Sequence, residues 1–139
     1  MPNCRAPRFD SGGGGLLSTG CDYSRFLLML RNRGRLEGVR LLSPQTLAWM
    51  TADHLGPIAV QGDLLGAGDG FGLGFAVRTH AGRAPTPGSA GSYFWSALGG
   101  TWFFVDPAQD LFAVLLTQAP GQREYFIRLW RHLVYGALD

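Results

Sequence analysis

Lysine is absent from this sequence, and all 12 basic residues among its 139 positions are arginine. A mechanism in which a lysine amine of this chain removes the proton from a nucleophile is therefore excluded. Arginine does not replace lysine as a base, because the guanidinium group stays protonated at any ordinary pH. The glycine run at residues 12–15 also lacks the lysine and the spacing of a phosphate-binding loop.

Charged residues and cysteines are scarce as well. Only 16% of the residues are charged, and the net charge of +2 is too small to indicate a nucleic-acid partner. Cys4 and Cys21 do not have the spacing of metal ligands, so we predict no metal site. Two free thiols in a reducing compartment, with the cytoplasm favoured, are the simplest interpretation, and one disulfide is the alternative.

Long apolar runs are missing too. No segment approaches the ~18 apolar residues of a membrane-spanning helix, so we predict no membrane span. Met1 is not followed by the apolar core of a signal peptide. No motif indicates a cofactor.

Apolar and aromatic residues, by contrast, are plentiful, at 46% and 12% of the sequence. This composition suits the core of one globular domain. It is also typical of a chain that exposes apolar surface to a partner or to a second copy of itself, although an ordinary enzyme domain has the same composition.

Four of the arginines are close together in sequence. Arg31, Arg33, Arg35 and Arg40 cluster around the end of a predicted helix, where cations suit the negative end of the helix dipole. We interpret them as a solvated helix end, with anion binding as the alternative.

The first half of the chain, residues 16–69, is predicted to be helical. Thr19 and Asp22 form a start signal for a helix that ends near Gly34. Its buried stripe is predicted at i, i+3, i+4 and i+7, namely Tyr23, Phe26, Leu27 and Leu30. Residues 36–39 are a turn or minimal hairpin, and Ser43 caps a second helix with Pro44 at its first position.

The second half, residues 70–139, is predicted to be a sheet covered by a helix. Four strands are predicted, at residues 70–78, 92–97, 101–106 and 111–118, and their short connections favour antiparallel pairing. An amphipathic helix follows at residues 123–138, with five apolar residues predicted to face the sheet: Phe126, Leu129, Trp130, Leu133 and Val134. The predicted fold is α+β, an antiparallel sheet of about four strands covered by a C-terminal helix, with two N-terminal helices.

The hairpin at residues 93–107 (YFWSALGGTWFFVDP) is the most informative segment. Small residues between its strands allow another backbone or a ligand to come close, as an oxyanion site for acyl transfer requires. A tightly packed, buried hairpin is the simpler alternative.

Other polar and aromatic residues are predicted to have structural roles. The histidines His54, His80 and His132 lack a partner at motif spacing, and His132 is predicted to lie on the surface. Turn chemistry explains Asp106 and Asp110. The tryptophans Trp49, Trp102 and Trp130 are predicted to lie in the core.

Five segments in order resemble the C-terminal half of the serine β-lactamase-like hydrolases. They are SGGGGLLST (11–19), DYSRFLLML (22–30), LLSPQTLAWM (41–50), GFGLGF (70–75) and WSALGGTWFFVDP (95–107). This superfamily contains the class C β-lactamases, the penicillin-binding proteins and the family VIII esterases, and the esterase branch is the most similar. The resemblance implies a partial β-lactamase/transpeptidase-like fold, with residues 1–139 as a single C-terminal fragment.

The resemblance also shows what this sequence lacks. The superfamily attacks with the serine of a Ser-x-x-Lys motif, and its second element is Tyr-x-Asn or Ser-x-Asn; neither occurs here. We therefore predict no catalytic residue in this chain and no activity of the chain alone. Tyr23-Ser24-Arg25 does not match the second element.

The third motif of the superfamily falls on Trp95, Ser96 and Ala97, which the resemblance implies to be a wall of the substrate cleft. In β-lactamases this motif is Lys-Thr-Gly, and in the esterase branch it is usually Trp-Gly-Gly. The backbone N–H of Leu98 is the implied oxyanion donor. The complete enzyme would hydrolyse an ester or amide through an acyl-enzyme, with an ester favoured because the lysine is absent. A non-catalytic interaction module, or the partner of a separately encoded N-terminal half, is the alternative.

Overall fold

The computed structural model describes residues 11–13, 16–58 and 65–138. It contains three α-helices: α1 (Gly20–Arg31), α2 (Pro44–Met50) and α3 (Arg123–Tyr135). The strands are β1 (Arg35–Leu36), β2 (Val39–Arg40), β3 (Asp69–Phe71), β4 (Ala76–Arg78), β5 (Tyr93–Ser96), β6 (Trp102–Asp106) and β7 (Leu111–Leu115). Cys4 and part of the glycine run lie outside the described residues.

Strands β3 to β7 form one antiparallel sheet in sequence order, and β1 pairs with β2 in a separate hairpin. Three of the four connections, residues 72–75, 97–101 and 107–110, are short and favour antiparallel pairing of consecutive strands, whereas a longer segment, residues 79–92, joins β4 to β5. Helices α1 and α2 pack on one face of the sheet, which we call the inner face, and α3 packs on the other, the outer face. The predicted α+β fold is confirmed. Treating residues 1–139 as one C-terminal fragment, divided near residue 70, remains a prediction.

The single strand predicted at residues 70–78 is wrong, since β3 and β4 are two strands of a tight hairpin. Gly72 donates its N–H to the carbonyl of Phe75 at 2.8 Å, and Gly74 has a positive φ of 95°. An added Cβ at Gly72 would lie 2.2 Å from the carbonyl oxygen of Met50, so only glycine fits there. The alternation of aromatic and other apolar residues with small ones predicted one continuous strand and did not indicate this turn.

The start signals of both N-terminal helices are confirmed. Thr19 Oγ1 accepts from the Asp22 N–H at 3.1 Å, and Ser43 Oγ accepts from the Thr46 N–H at 3.0 Å. Helix α1 ends as predicted, because the Gly34 N–H returns to the carbonyl of Met29 at 2.9 Å with φ 85°.

The inner face carries the hydrophobic core. Leu27 and Leu30 of α1 and Leu47 of α2 pack against alternate strand residues, which are Val77, Tyr93, Phe103 and Val105. The prediction for Phe26 is wrong, because this side chain is 40% exposed. Trp49 is also exposed rather than in the core, since α2 turns Leu47 inward and Trp49 away from the sheet.

Helix α3 faces the sheet with a different stripe from the one predicted. Ile127 and Arg131 are buried, while the predicted residues Leu129 and Leu133 are exposed. Trp130 faces the sheet as predicted, with its ring centroid 5.3 Å from that of Phe104. Apolar residues occur on several sides of this helix, so the sequence did not define its buried face.

Within the described residues, no helix combines the length and apolar character that crossing a membrane requires.

Candidate functional site

The predicted site, Trp95, Ser96 and Ala97 with the backbone N–H of Leu98, runs from the end of β5 into the tip of the β5–β6 hairpin, residues 97–101. The Ala97 N–H donates to the carbonyl of Thr101 at 2.9 Å, and the Gly100 N–H donates to the carbonyl of Ala97 at 3.0 Å. Leu98 lies between these bonds and is 84% exposed. In the described part of the chain the Leu98 N–H has no hydrogen-bond acceptor. Within the described residues, the turn therefore holds two backbone N–H groups without an acceptor, those of Leu98 and Gly99.

The glycine pair is explained by packing within the hairpin and the chain that follows β7. Thr117 Oγ1 donates to the carbonyl of Gly100 at 2.8 Å, and the Ala119 N–H donates to the carbonyl of Gly99 at 2.9 Å. Gly100 has φ 106°, which disfavours any side chain, and a Cβ there would lie 3.1 Å from Thr117 Oγ1. These hydrogen bonds hold the tip against the segment that follows β7, and Leu98 remains exposed.

Trp95 and Ser96 belong to opposite faces of the sheet. Trp95 pairs in register with Phe103 of the inner face, and its ring packs edge-on against Phe71 with centroids 5.1 Å apart. Ser96 pairs with Trp102, which contacts α3 on the outer face. The Cβ that Ser96 adds relative to glycine is thus on the side of the sheet away from Trp95.

No described side chain is placed to act as an activated nucleophile at this tip. Each histidine ring bonds only within its own neighbourhood: His54 Nε2 to the Trp49 carbonyl at 2.8 Å, His80 Nδ1 to Thr79 Oγ1 at 3.0 Å, and His132 Nδ1 to the Arg128 carbonyl at 2.8 Å. Among the described residues, none of them is hydrogen-bonded to a serine or a carboxylate. This arrangement provides no serine–histidine pair.

The arginines after α1 contact carbonyl oxygens and an acidic turn. Arg31 forms an ion pair with Asp110 and donates from Nε to its carbonyl at 2.8 Å. Arg40 donates to the carbonyls of Arg33 and Leu42, each at 3.1 Å. These two side chains fix local structure.

The outer face contains buried charges that the sequence did not reveal. Arg78 Nε and Asp69 Oδ1 are 2.6 Å apart, with both side chains almost fully buried. Burial raises the pKa of Asp69, and the opposing effect of Arg78 does not cancel this shift. Asp69 and Arg78 are direct cross-strand partners. The pair could have been predicted only if β3 and β4 had been recognised as the two strands of a hairpin.

Asp106 does more than form the predicted turn. Its Oδ1 accepts from the N–H groups of Ala108 and Gln109 at 3.1 and 3.3 Å, as a turn aspartate does. Its Oδ2 accepts from the Ser89 N–H at 3.0 Å and the Tyr135 hydroxyl at 2.6 Å. Burial alone would raise the pKa of Asp106, but the hydrogen bonds from Tyr135 and Ser89 outweigh it and hold this pKa below its ordinary value.

Comparison with known proteins identifies the family. A family model described as "Beta-lactamase" matches residues 2–137. The chain belongs to the beta-lactamase family. The order of its helices and strands is therefore inherited from this family, and the caps and turns described above stabilise it locally.

The beta-lactamase-family relatives of known sequence include proteins from two strains of Mycobacterium tuberculosis. The "Uncharacterized protein MT1414" is 39% identical over 124 residues, and "Protein Rv1367c" matches to the same extent. The matched segment covers 84% of this chain and 31% of each relative. The chain thus spans about a third of the length of these relatives.

Two solved structures show the same fold. EstCE1, described as a hydrolase with promiscuous acyltransferase activity, is 30% identical with a TM-score of 0.59, over 76% of this chain and 27% of EstCE1. Unliganded simvastatin synthase (LovD) from Aspergillus terreus is 20% identical with a TM-score of 0.65, over 84% of this chain and 33% of LovD. The likeness to LovD shows the fold alone.

Proposed function

We propose that this beta-lactamase-family chain forms one wall of a serine-hydrolase cleft that accepts ester substrates, and that it does not turn over substrate by itself. The observation that carries the proposal is the N–H of the exposed residue Leu98, which has no acceptor in the described part of the chain and lies at a tip held by hydrogen bonds to Gly99 and Gly100. A backbone donor held in advance is what an oxyanion site needs, because no reorganisation is then required when charge develops.

In the complete enzyme, a serine hydroxyl attacks the carbonyl carbon of the ester and the alcohol leaves. Water then hydrolyses the acyl-enzyme. The Leu98 N–H donates to the carbonyl oxygen while that oxygen is negatively charged in both steps. The second donor and the serine come from the part of the enzyme that carries Ser-x-x-Lys. Loss of one donor costs about 10²- to 10³-fold in rate, whereas loss of the nucleophile removes the mechanism.

An ester is preferred over a β-lactam because of the residue at position 95. Trp95 occupies the place of the lysine in Lys-Thr-Gly, so that place offers no cation to the carboxylate of a β-lactam. Its ring instead packs against Phe71 and lies on the inner face.

The test is to incubate the purified chain with a chromogenic short-chain ester and with a chromogenic cephalosporin. For either substrate, we expect no hydrolysis above the rate measured in buffer without the protein. Hydrolysis that is abolished by replacing a single serine of this chain would contradict the proposal.

A second candidate, a non-catalytic module that binds another polypeptide, is favoured by the outer side of α3. Tyr125, Leu129 and Leu133 are exposed at i, i+4 and i+8, and so form an apolar stripe along this helix. The DNA upstream of the coding sequence discriminates between the two. Ser-x-x-Lys and Tyr-x-Asn encoded there, in frame or frameshifted, would support a split enzyme, and unrelated sequence would favour a stand-alone module.

A further inference from the structure

A cavity of about 800 Å³ lies between the outer face of the sheet and α3. Five arginines from two regions of the chain line it: Arg78, Arg83, Arg123, Arg128 and Arg131. The carboxylates in its lining are Asp69 and Glu124. Phe94 and Trp102 add aromatic surface.

The charges in this cavity do not balance. Asp69 pairs with Arg78 at 2.6 Å, and Glu124 lies 3.5 Å from Arg123. Arg83, Arg128 and Arg131 have no carboxylate partner in the described part of the chain. The described lining therefore carries an excess of three positive charges.

Arg131 is the most unusual of these residues because its side chain is completely buried. Its Nε and Nη1 have no hydrogen-bond partner within the described structure, and Nη2 makes a long contact of 3.4 Å to Ser92 Oγ. Four rings surround the guanidinium carbon at 4.9–5.8 Å from their centroids, namely those of Phe94, Trp102, Phe104 and Tyr135.

These rings stabilise the cation through cation–π attraction but do not neutralise its charge. Burial lowers the pKa of Arg131 and the nearby charge of Arg78 lowers it further, whereas Tyr135 and the more distant charge of Asp69 offset only part of this shift. A buried charge is normally compensated by an opposite charge. The described lining therefore lacks negative charge, which a bound anion would supply.

We propose that this cavity binds a small organic oxyanion of the carboxylate or phosphate class. Arg131 provides positive charge at the buried end, and the exposed Arg83 and Arg128 contact the anion from the solvent side. Phe94 and Trp102 pack against the carbon skeleton of the ligand. The site lies behind the cleft wall, on the face opposite Trp95, and it does not depend on the proposed hydrolase function.

The test is a titration of the full 139-residue chain with sodium phosphate and, separately, with sodium citrate. Sodium chloride at equal ionic strength is the reference, and thermal unfolding and tryptophan fluorescence are the readouts. We expect a saturable rise in Tm and a saturable fluorescence change, because Trp102 lines the cavity and an anion that binds only the folded chain stabilises it. The anion that saturates at the lower concentration identifies the ligand class.

Matched variants locate the site. Arg128→Gln should weaken binding by about tenfold, because a charge-assisted hydrogen bond is lost. Arg131→Met should abolish the anion-dependent rise in Tm. Arg35→Gln removes the same charge from exposed strand β1 and should leave the affinity unchanged.

If Arg131→Met does not fold, as judged by circular dichroism, the double variant Arg83→Gln/Arg128→Gln decides the question. The proposal is overturned if phosphate and citrate stabilise the chain no more than chloride does. It is overturned equally if the Arg35 variant loses as much affinity as the Arg128 variant.

Discussion

The two faces of the five-stranded sheet are both buried, but by different means. On the inner face, α1 and α2 cover an apolar surface that includes Leu27 and Val105, each 0% exposed. On the outer face, α3 covers charged residues, and Asp106 and Arg131 are also 0% exposed. Burial of apolar area stabilises the inner face at any pH, whereas the outer face depends on hydrogen bonds and rings around ionised groups.

Both faces of the sheet support the hairpin that ends at Leu98. Strands β5 and β6 contribute to both faces, with Phe103 packed against Tyr23 of α1 and Phe104 against Trp130 of α3. A hairpin fixed from both sides can hold a backbone donor in place without a side chain of its own.

The largest effect is expected on the inner face. Leu27→Ala leaves a cavity in the core and should lower the free energy of unfolding by about 2–5 kcal/mol. Urea unfolding curves at pH 5 and pH 8 measure this, and the loss should be the same at both pH values because no ionised group is removed. A loss that varied strongly with pH would break the distinction between the faces.

The next effect is expected at Asp106 on the outer face. Asp106→Ala leaves the Tyr135 hydroxyl and three backbone N–H groups without their acceptor, and should cost about 3 kcal/mol at pH 7. The matched control is Asp110→Ala, whose carboxylate is exposed, and which should cost less than about 1 kcal/mol.

Acid unfolding measures how the contribution of Asp106 to stability depends on pH. The pKa of Asp106 is lower in the folded chain than in the unfolded chain, so its contribution is fully present above the unfolded pKa. That contribution is lost as pH falls through the folded pKa. The stability of the parent chain should therefore decline as pH falls below about 4, and the contribution of Asp106 to that decline should be missing in Asp106→Ala. Parallel acid curves for the two proteins would be the contrary result.

A smaller effect is expected at Arg131. Replacing a buried, uncompensated guanidinium with an apolar side chain of similar length removes a desolvation cost. Arg131→Met should thus be neutral or stabilising by about 1–3 kcal/mol in anion-free buffer. Chemical unfolding measures this, and a large destabilisation would mean that the four surrounding rings outweigh the cost of burial.

The smallest effect is local and concerns the hairpin tip. Amide hydrogen exchange should be fast at Leu98 and slow at Ala97 and Gly100, because only the latter two donate hydrogen bonds. NMR resolves the individual amides. Protection of Leu98 comparable to that of its neighbours would remove the free donor on which the proposed site depends.

Local signals in the sequence were sufficient for the ends of the two helices that cover the inner face, although not for every residue that they bury. Caps at Thr19 and Ser43 and the turn at Gly34 are chemical features of a few adjacent residues, and each was predictable. The hairpin around Glu37 and Gly38 was likewise predicted, and both residues have a positive φ.

The outer face could not be predicted in the same way. Arg131 is buried by rings from β5, β6 and α3, up to 37 positions away in the sequence at Phe94. An arginine in an amphipathic helix normally lies on the solvent side. The sequence alone therefore did not indicate that the buried face of α3 contains Ile127 and Arg131. Long-range packing overrode the local pattern.

The most direct test of the central claim is covalent labelling with a fluorophosphonate, which reacts with activated serines. The intact purified chain would be incubated with excess reagent and its mass measured. We predict an unmodified mass, because the chain has no lysine and none of its histidines is hydrogen-bonded to a serine among the described residues. Stoichiometric addition to one serine, mapped by peptide sequencing, would show that the chain contains its own nucleophile and would contradict the account.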